Sequence, residues 1–120
     1  MNSADFKMNP PEELVQSYSR AALEHGLGTE AGDANRANAA YDTIAAIYRE
    51  LRLREKQSLL LPLLSSPEPW IRHWAAAHTL ESAAEHAVPV LEALGKQGRV
   101  VGLDSKMTLR EWRAGRLRFP

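Results

Sequence analysis

The stretch from Leu59 to Leu94, LLLPLLSSPEPWIRHWAAAHTLESAAEHAVPVLEAL, decides the fold. Its apolar residues return at intervals of three and four, the spacing that lines one face of a helix. Pro67 and Pro69 fall where a helix tolerates proline, before or within a first turn, because the missing N–H has no partner to lose there. Ser65 and Ser66 stand ready as caps. The spacing predicts a Leu-rich helix over about 57–64, a break at SSPEP, and a second helix carrying Trp70, Ile71, Trp74, Ala75, His78 and Leu80. A third helix, from about Ser82 to Lys96, turns Ala84, Ala87, Val88, Leu91 and Leu94 inward. Pro89 inside it is expected to remove one backbone bond and bend the rod. Helices paired in this way are the unit of a solenoid.

N-terminal to this stretch, a helix opens near Pro11, with Asn9 as its cap and Glu12 and Glu13 at the positive end of the dipole. Leu14, Val15, Tyr18, Ala22 and Leu23 form its stripe, and HGLGTEAGD ends it, with Gly26 and Gly28 as left-handed stops. A longer helix follows from about Ala34 to Glu55, capped by Asp33, with Ala37, Ala40, Tyr41, Ile44, Ile47, Tyr48 and Leu51 on its buried face. C-terminal to the central stretch, Val100 to Leu103 reads as a short extended or irregular piece. Thr108 and Glu111 then form a T-x-x-E capping box that opens a brief helix, and Gly115 stops it. Phe119, in the trailing RLRFP, is placed to fold back over an end of the stack.

A chain of 120 residues is one domain on size grounds. The expected architecture is all-α: a short right-handed superhelix of about five to six helices, with residues 1–10 as an N-terminal arm and 116–120 as a C-terminal tail. Fifteen basic and fifteen acidic side chains cancel, which removes any global argument for nucleic acid. The absence of cysteine excludes disulfides, thiolate metal sites and cysteine nucleophiles. The opening MNSADFKMNPPEEL is no secretory signal, and no apolar run approaches the ~20 residues of a membrane span. A cytoplasmic location, away from membranes, follows by default.

The centre resembles the HEAT repeat family through Leu60, Pro62, Leu63 and Leu64, then Pro67, Ile71, Arg72, Ala75, Ala76 and Leu80, with Ala87, Val88, Pro89 and Leu91 opening a further unit. The whole chain more closely resembles a family of small bacterial proteins described as a domain of unknown function, DUF2019. ELVQSYSRAALEHG, GDANRANAAYDTIAAIYRELR, the HEAT-like centre and MTLREWRAGRLRF carry that resemblance from Glu12 to Phe119. It implies a HEAT/armadillo-like fold and, by analogy with HEAT-like scaffolds, binding by stacked faces rather than catalysis. The first two helices and the terminal segment then act as caps on a truncated solenoid.

No residue cluster spells a named chemistry. The histidines are His25, His73, His78 and His86, with no HExxH among them. His73 and His78 lie about 140° apart around a helix, so they do not face one metal, and neither metal nor cofactor is expected. His78 follows the packed stripe and reads as a core-edge histidine held by a neighbouring helix. Asp33, Asn38, Tyr41 and Asp42 make a polar cluster at the head of the long helix, either a small-ligand or peptide site or, preferred, a capping and interhelical network. Trp70 stands in the turn after Pro69, partly exposed on this reading. With Arg72 it makes either an interface anchor or a packed turn.

Charge is unevenly placed. Through residue 35, Asp5, Glu12, Glu13, Glu24, Glu30 and Asp33 face only Lys7 and Arg20. From residue 99 onward, Arg99, Lys106, Arg110, Arg113, Arg116 and Arg118 face only Asp104 and Glu111. Arg110, Arg113 and Arg116 recur every third residue. They are a solvated tail, a contact for an acidic partner, such as another copy's N-terminal region in a weak homodimer, or a contact for nucleic acid. Three function classes therefore stand. A non-catalytic protein-binding module or adaptor, possible in immunity- or antitoxin-like form, comes first. A nucleic-acid binder is second, and a small-ligand protein or enzyme, with a pocket converging on Tyr41, Asp42 and His78, is third.

Overall fold

The computed structural model describes residues 6–120, and residues 1–5 of the expected arm lie outside the described residues. Among the described residues the regular structure is helical, with no strand: α1 Pro11–Glu30, α2 Ala34–Leu53, α3 Pro69–Thr79, α4 Ala84–Gly95 and α5 Val100–Arg113, with a 3₁₀ run Gln57–Ser65 after α2. The all-α class holds. The chain divides into two compact units, one through Leu59 and the other Leu60–Phe119.

In the first unit α1 packs against α2. Leu14, Tyr18 and Ala22 meet Ile44, Ile47 and Leu51 in a core closed to solvent, each aliphatic side chain contributing about 1.5–3 kcal/mol by burial. Tyr41, expected inward, is 37% exposed. Asp33 caps α2 as expected, accepting the Arg36 N–H at 3.1 Å. Asn9 does not cap α1; Pro10 holds that position, and Asn9 instead donates its amide to Glu13. Gly26 and Gly28 do not stop α1 either, which runs on to Glu30. Gly28 is where the backbone of α2 comes closest: a Cβ there would lie 2.8 Å from the Ala37 nitrogen. The left-handed stop falls at Gly32, φ 71°, where the Asp33 N–H returns to the Gly28 carbonyl at 2.8 Å. α2 ends by the same hydrogen-bond pattern, Lys56 N–H to Leu51 O at 2.8 Å, but here Glu55 takes the left-handed position at φ 56°.

Arg54 fastens the N-terminal turn to the end of α2. Its Nε donates to the buried Glu50 carboxylate at 2.7 Å, and its two Nη atoms donate to the carbonyls of Asn9, Phe6 and Lys7 at 2.8–3.0 Å. A planar fork of donors suits this divergent set, as a lysine point charge does not. Removing it takes the guanidinium from Glu50 and from three carbonyls, so Arg54→Ala is expected to cost about 1.5–3 kcal/mol in denaturant unfolding, with Arg54→Lys recovering only part.

In the second unit α3 is buried on nearly every side, from Trp70 and Ile71 through His73–Thr79, and both α4 and α5 pack on it. The segment over 57–64 is helical where expected but wound as 3₁₀, with i to i+3 bonds such as Ser66 N–H to Leu63 O, and Pro62 inside it. Ala76, Leu80, Ala87, Leu91 and Leu109 form the core, with Leu64, Trp112 and Leu117 against it. Phe119 does fold back, its ring meeting His78 edge-on at 4.6 Å between centroids.

The C-terminal reading needs correction. Val100 to Leu103 is the first turn of α5 and not an extended piece, while Thr108 lies inside the helix and Glu111 in its last turn, so they open nothing. Gly102 is neither turn nor breaker. A Cβ there would lie 2.7 Å from the Leu94 carbonyl oxygen, so glycine lets α5 settle directly on the last turn of α4. Gly102→Ala gains about 1 kcal/mol of helix propensity but drives a methyl into backbone. A net loss of about 1–3 kcal/mol is expected from overpacking, read as a lowered melting temperature.

Candidate functional site

The structure separates the residues that the sequence singled out. Trp70 is not partly exposed: it is buried at 4%, its ring edge-on to His73 at 5.7 Å. Proline at the first helical position sends the chain inward at once, so the indole enters the core with the first turn of α3. Arg72 is half-buried and donates to the Ser66 carbonyl at 2.7 Å, while the Ser66 hydroxyl accepts the Glu68 N–H. The pair is a packed turn.

The polar cluster divides too. Asp33 caps α2, and Arg36 pairs with Glu24 of α1, Nη2 to Oε2 at 3.0 Å, holding the Glu24 carboxyl below its usual range through that hydrogen bond. Asn38 and Asp42 lie exposed on α2. A groove of about 500 Å³ between α1 and α2 has Ala21, Ala39 and Ala40 on its floor and Arg20, Glu24 and Arg36 at its rim, without Asn38, Tyr41 or Asp42.

What the fold does assemble is a basic groove of about 400 Å³ between α4 and α5. Leu91, Leu109 and Gly95 form its floor. Lys96, Lys106, Arg110 and Arg113 line it, and Glu92 is its one carboxylate. At Gly95 a Cβ would sit 3.0 Å from Lys106 Cγ, so the lysine stem lies across the glycine and carries its ammonium outward. Arg113 reaches Glu92 at 3.1 Å. Lys96, Lys106 and Arg110 form no ion pair among the described residues. Of the arginine trio, Arg110 and Arg113 therefore share the site. Arg116 lies beyond the helix end and grips Glu111 at 2.8 and 3.1 Å, lowering that carboxyl's pKa. Lys96 and Lys106 were missed. Lys106 stands four residues before Arg110, a helical neighbour once α5 is allowed its full length.

The two buried histidines of α3 face other side chains, while Thr79 donates to the Ala75 carbonyl of its own helix. His73 Nδ1 and the Ser105 hydroxyl hydrogen-bond at 2.8 Å, both closed to solvent, and tie α3 to α5. His78 is buried against Trp74 and Phe119. Among the described residues no helix is long and apolar enough to cross a membrane.

The fold and site thus define a small all-helical protein with a basic, apolar-floored groove between α4 and α5. The chain belongs to the family Domain of unknown function (DUF2019), whose model matches residues 12–112. It is similar to the solved structure of protein RPA1889 from Rhodopseudomonas palustris, with 24% identity and a TM-score of 0.87 over 94% of this chain and 96% of that one. That likeness speaks to the fold alone. No curated protein matches.

Half-burial pushes the His25 imidazole below its usual pKa. A base depressed in the folded state stabilises fully above its unfolded pKa of about 6.5, and that contribution is lost as pH falls toward the folded value. The melting temperature is therefore expected to hold near neutrality and to fall from about pH 6.5 downward, less steeply in His25→Gln. Melts across a pH series check this.

Proposed function

We propose that the chain is a non-catalytic, cytoplasmic protein-binding module of HEAT-like build, whose α4–α5 groove receives an acidic segment of another protein. One observation carries the reading: Lys96, Lys106 and Arg110 surround an apolar floor with no ion-pair partner of their own among the described residues. Unpaired cations beside buried leucines favour a ligand that brings carboxylates together with apolar surface, and complementary charge sets which ligand docks. An immunity- or antitoxin-like adaptor is one form such a module takes. Nucleic acid would use the same cations, but the neutral chain gives it no wider basic field.

The test is affinity capture followed by cross-linking from Lys96 and Lys106, with Lys106→Glu/Arg110→Glu as the control. One protein is expected to be retained by the native chain, cross-linked at these lysines, and weakened at least about tenfold by the reversal. Retention of nucleic acid in its place, with a steep salt dependence, would replace this reading.

A further inference from the structure

We propose that the docking segment is an amphipathic helix laid along α5, its apolar side chains on Val100, Leu103 and Met107 and its carboxylates along the Lys106–Arg110 edge. This rests on the protein-binding reading above and names the shape and chemistry of the partner; the helix shares with the groove only its Lys106–Arg110 edge, since Val100, Leu103 and Met107 lie outside the groove's lining.

The surface arises from the full length of α5. Val100, Leu103 and Met107 are 44%, 57% and 53% exposed, three large apolar side chains in a row. They recur at three and four residues, so they share one face. Val101, Ser105 and Leu109, which are buried, define the opposite face. A helix that already buries one stripe against its own unit thus carries a second stripe that stays about half open to solvent among the described residues, a continuous row rather than scattered surface residues. The period is that of an anchor row for a partner helix.

Charge then selects the partner. On one edge of the stripe stand Lys106 and Arg110, neither ion-paired among the described residues. On the other stand Asp104, half-buried, and Glu111, whose two oxygens are held by Arg116. Asp104 has no ion pair among the described residues either, but it is half-buried, so the edge more open to a counter-charge is the basic one. A partner helix must therefore carry carboxylates on one flank only, beside an apolar row. α5 spans fourteen residues, about 21 Å at 1.5 Å per residue, so roughly four turns of partner suffice to cover it. A second copy of α5 would bring a further basic edge and matches less well.

The probe is a synthetic sixteen-residue helical peptide with leucines in one row and glutamates along one flank, titrated by fluorescence anisotropy into the full chain. A second peptide carries lysine for every glutamate. The glutamate peptide is expected to bind, to weaken with salt, and to bind at least tenfold more tightly than the lysine peptide. Leu103→Glu/Met107→Glu should abolish this binding, whereas Leu53→Glu, at a still more exposed leucine of the first unit, should leave it intact. Binding that is lost in Lys106→Glu/Arg110→Glu but unchanged in Leu103→Glu/Met107→Glu would overturn the helix along α5 and leave the acidic-segment reading standing. Failure of the glutamate peptide to bind at all would overturn both. A concentration-dependent dimer in sedimentation that disappears in Leu103→Glu would place a second copy on the stripe and overturn the proposal.

Discussion

The contact of Gly102 with the Leu94 carbonyl is the constraint on which the candidate surface depends. Two helices usually keep 8–10 Å between their axes because side chains hold them apart. Glycine at 102 removes the side chain where the two backbones meet, and Gly95 leaves room for the stem of Lys106 beside it. α5 is thereby seated on α4 along its length, and Lys106, Arg110 and Arg113 come to lie beside Lys96 and Glu92. The groove is a product of backbone proximity; its charges are passengers on that geometry.

Polar groups in the two units do different work from those at the groove. The His73–Ser105 hydrogen bond and the Arg54 fork are both largely withdrawn from water, where an unsatisfied partner is costly and a satisfied one fixes register. Pairs such as Arg113–Glu92 are half-exposed and screened, and such pairs contribute little to stability. Buried polar contacts thus specify how the helices meet. The exposed cations remain open to whatever comes from outside.

The helical class, the break at SSPEP, the Asp33 cap and most of the core were legible because each rests on local periodicity or on a residue with one strong conformational habit. The errors share a cause. Gly26 and Gly28 were read as interruptions, since sequence alone does not distinguish a glycine that ends a helix from one that lets another helix approach. Reading Val100 to Leu103 as irregular shortened α5 by about two turns. That concealed both Lys106 as a neighbour of Arg110 and the apolar row from Val100 to Met107. Trp70 failed differently: its place after a proline suggested exposure, but which side of a first turn faces the core is set by tertiary packing. Lys96 had no local signal, because its relation to α5 exists only across the groove.

Glu55 carries an implication of another kind. It sits in the left-handed conformation that ends α2, where a side chain costs about 1–2 kcal/mol that glycine avoids. Either glutamate codon becomes a glycine codon by a single base change, so the relieved form lies one mutational step away. Glycine would relieve the strain but would also give the unfolded chain more freedom to lose on folding, so the exchange at the end of α2 stabilises by less than the strain alone suggests.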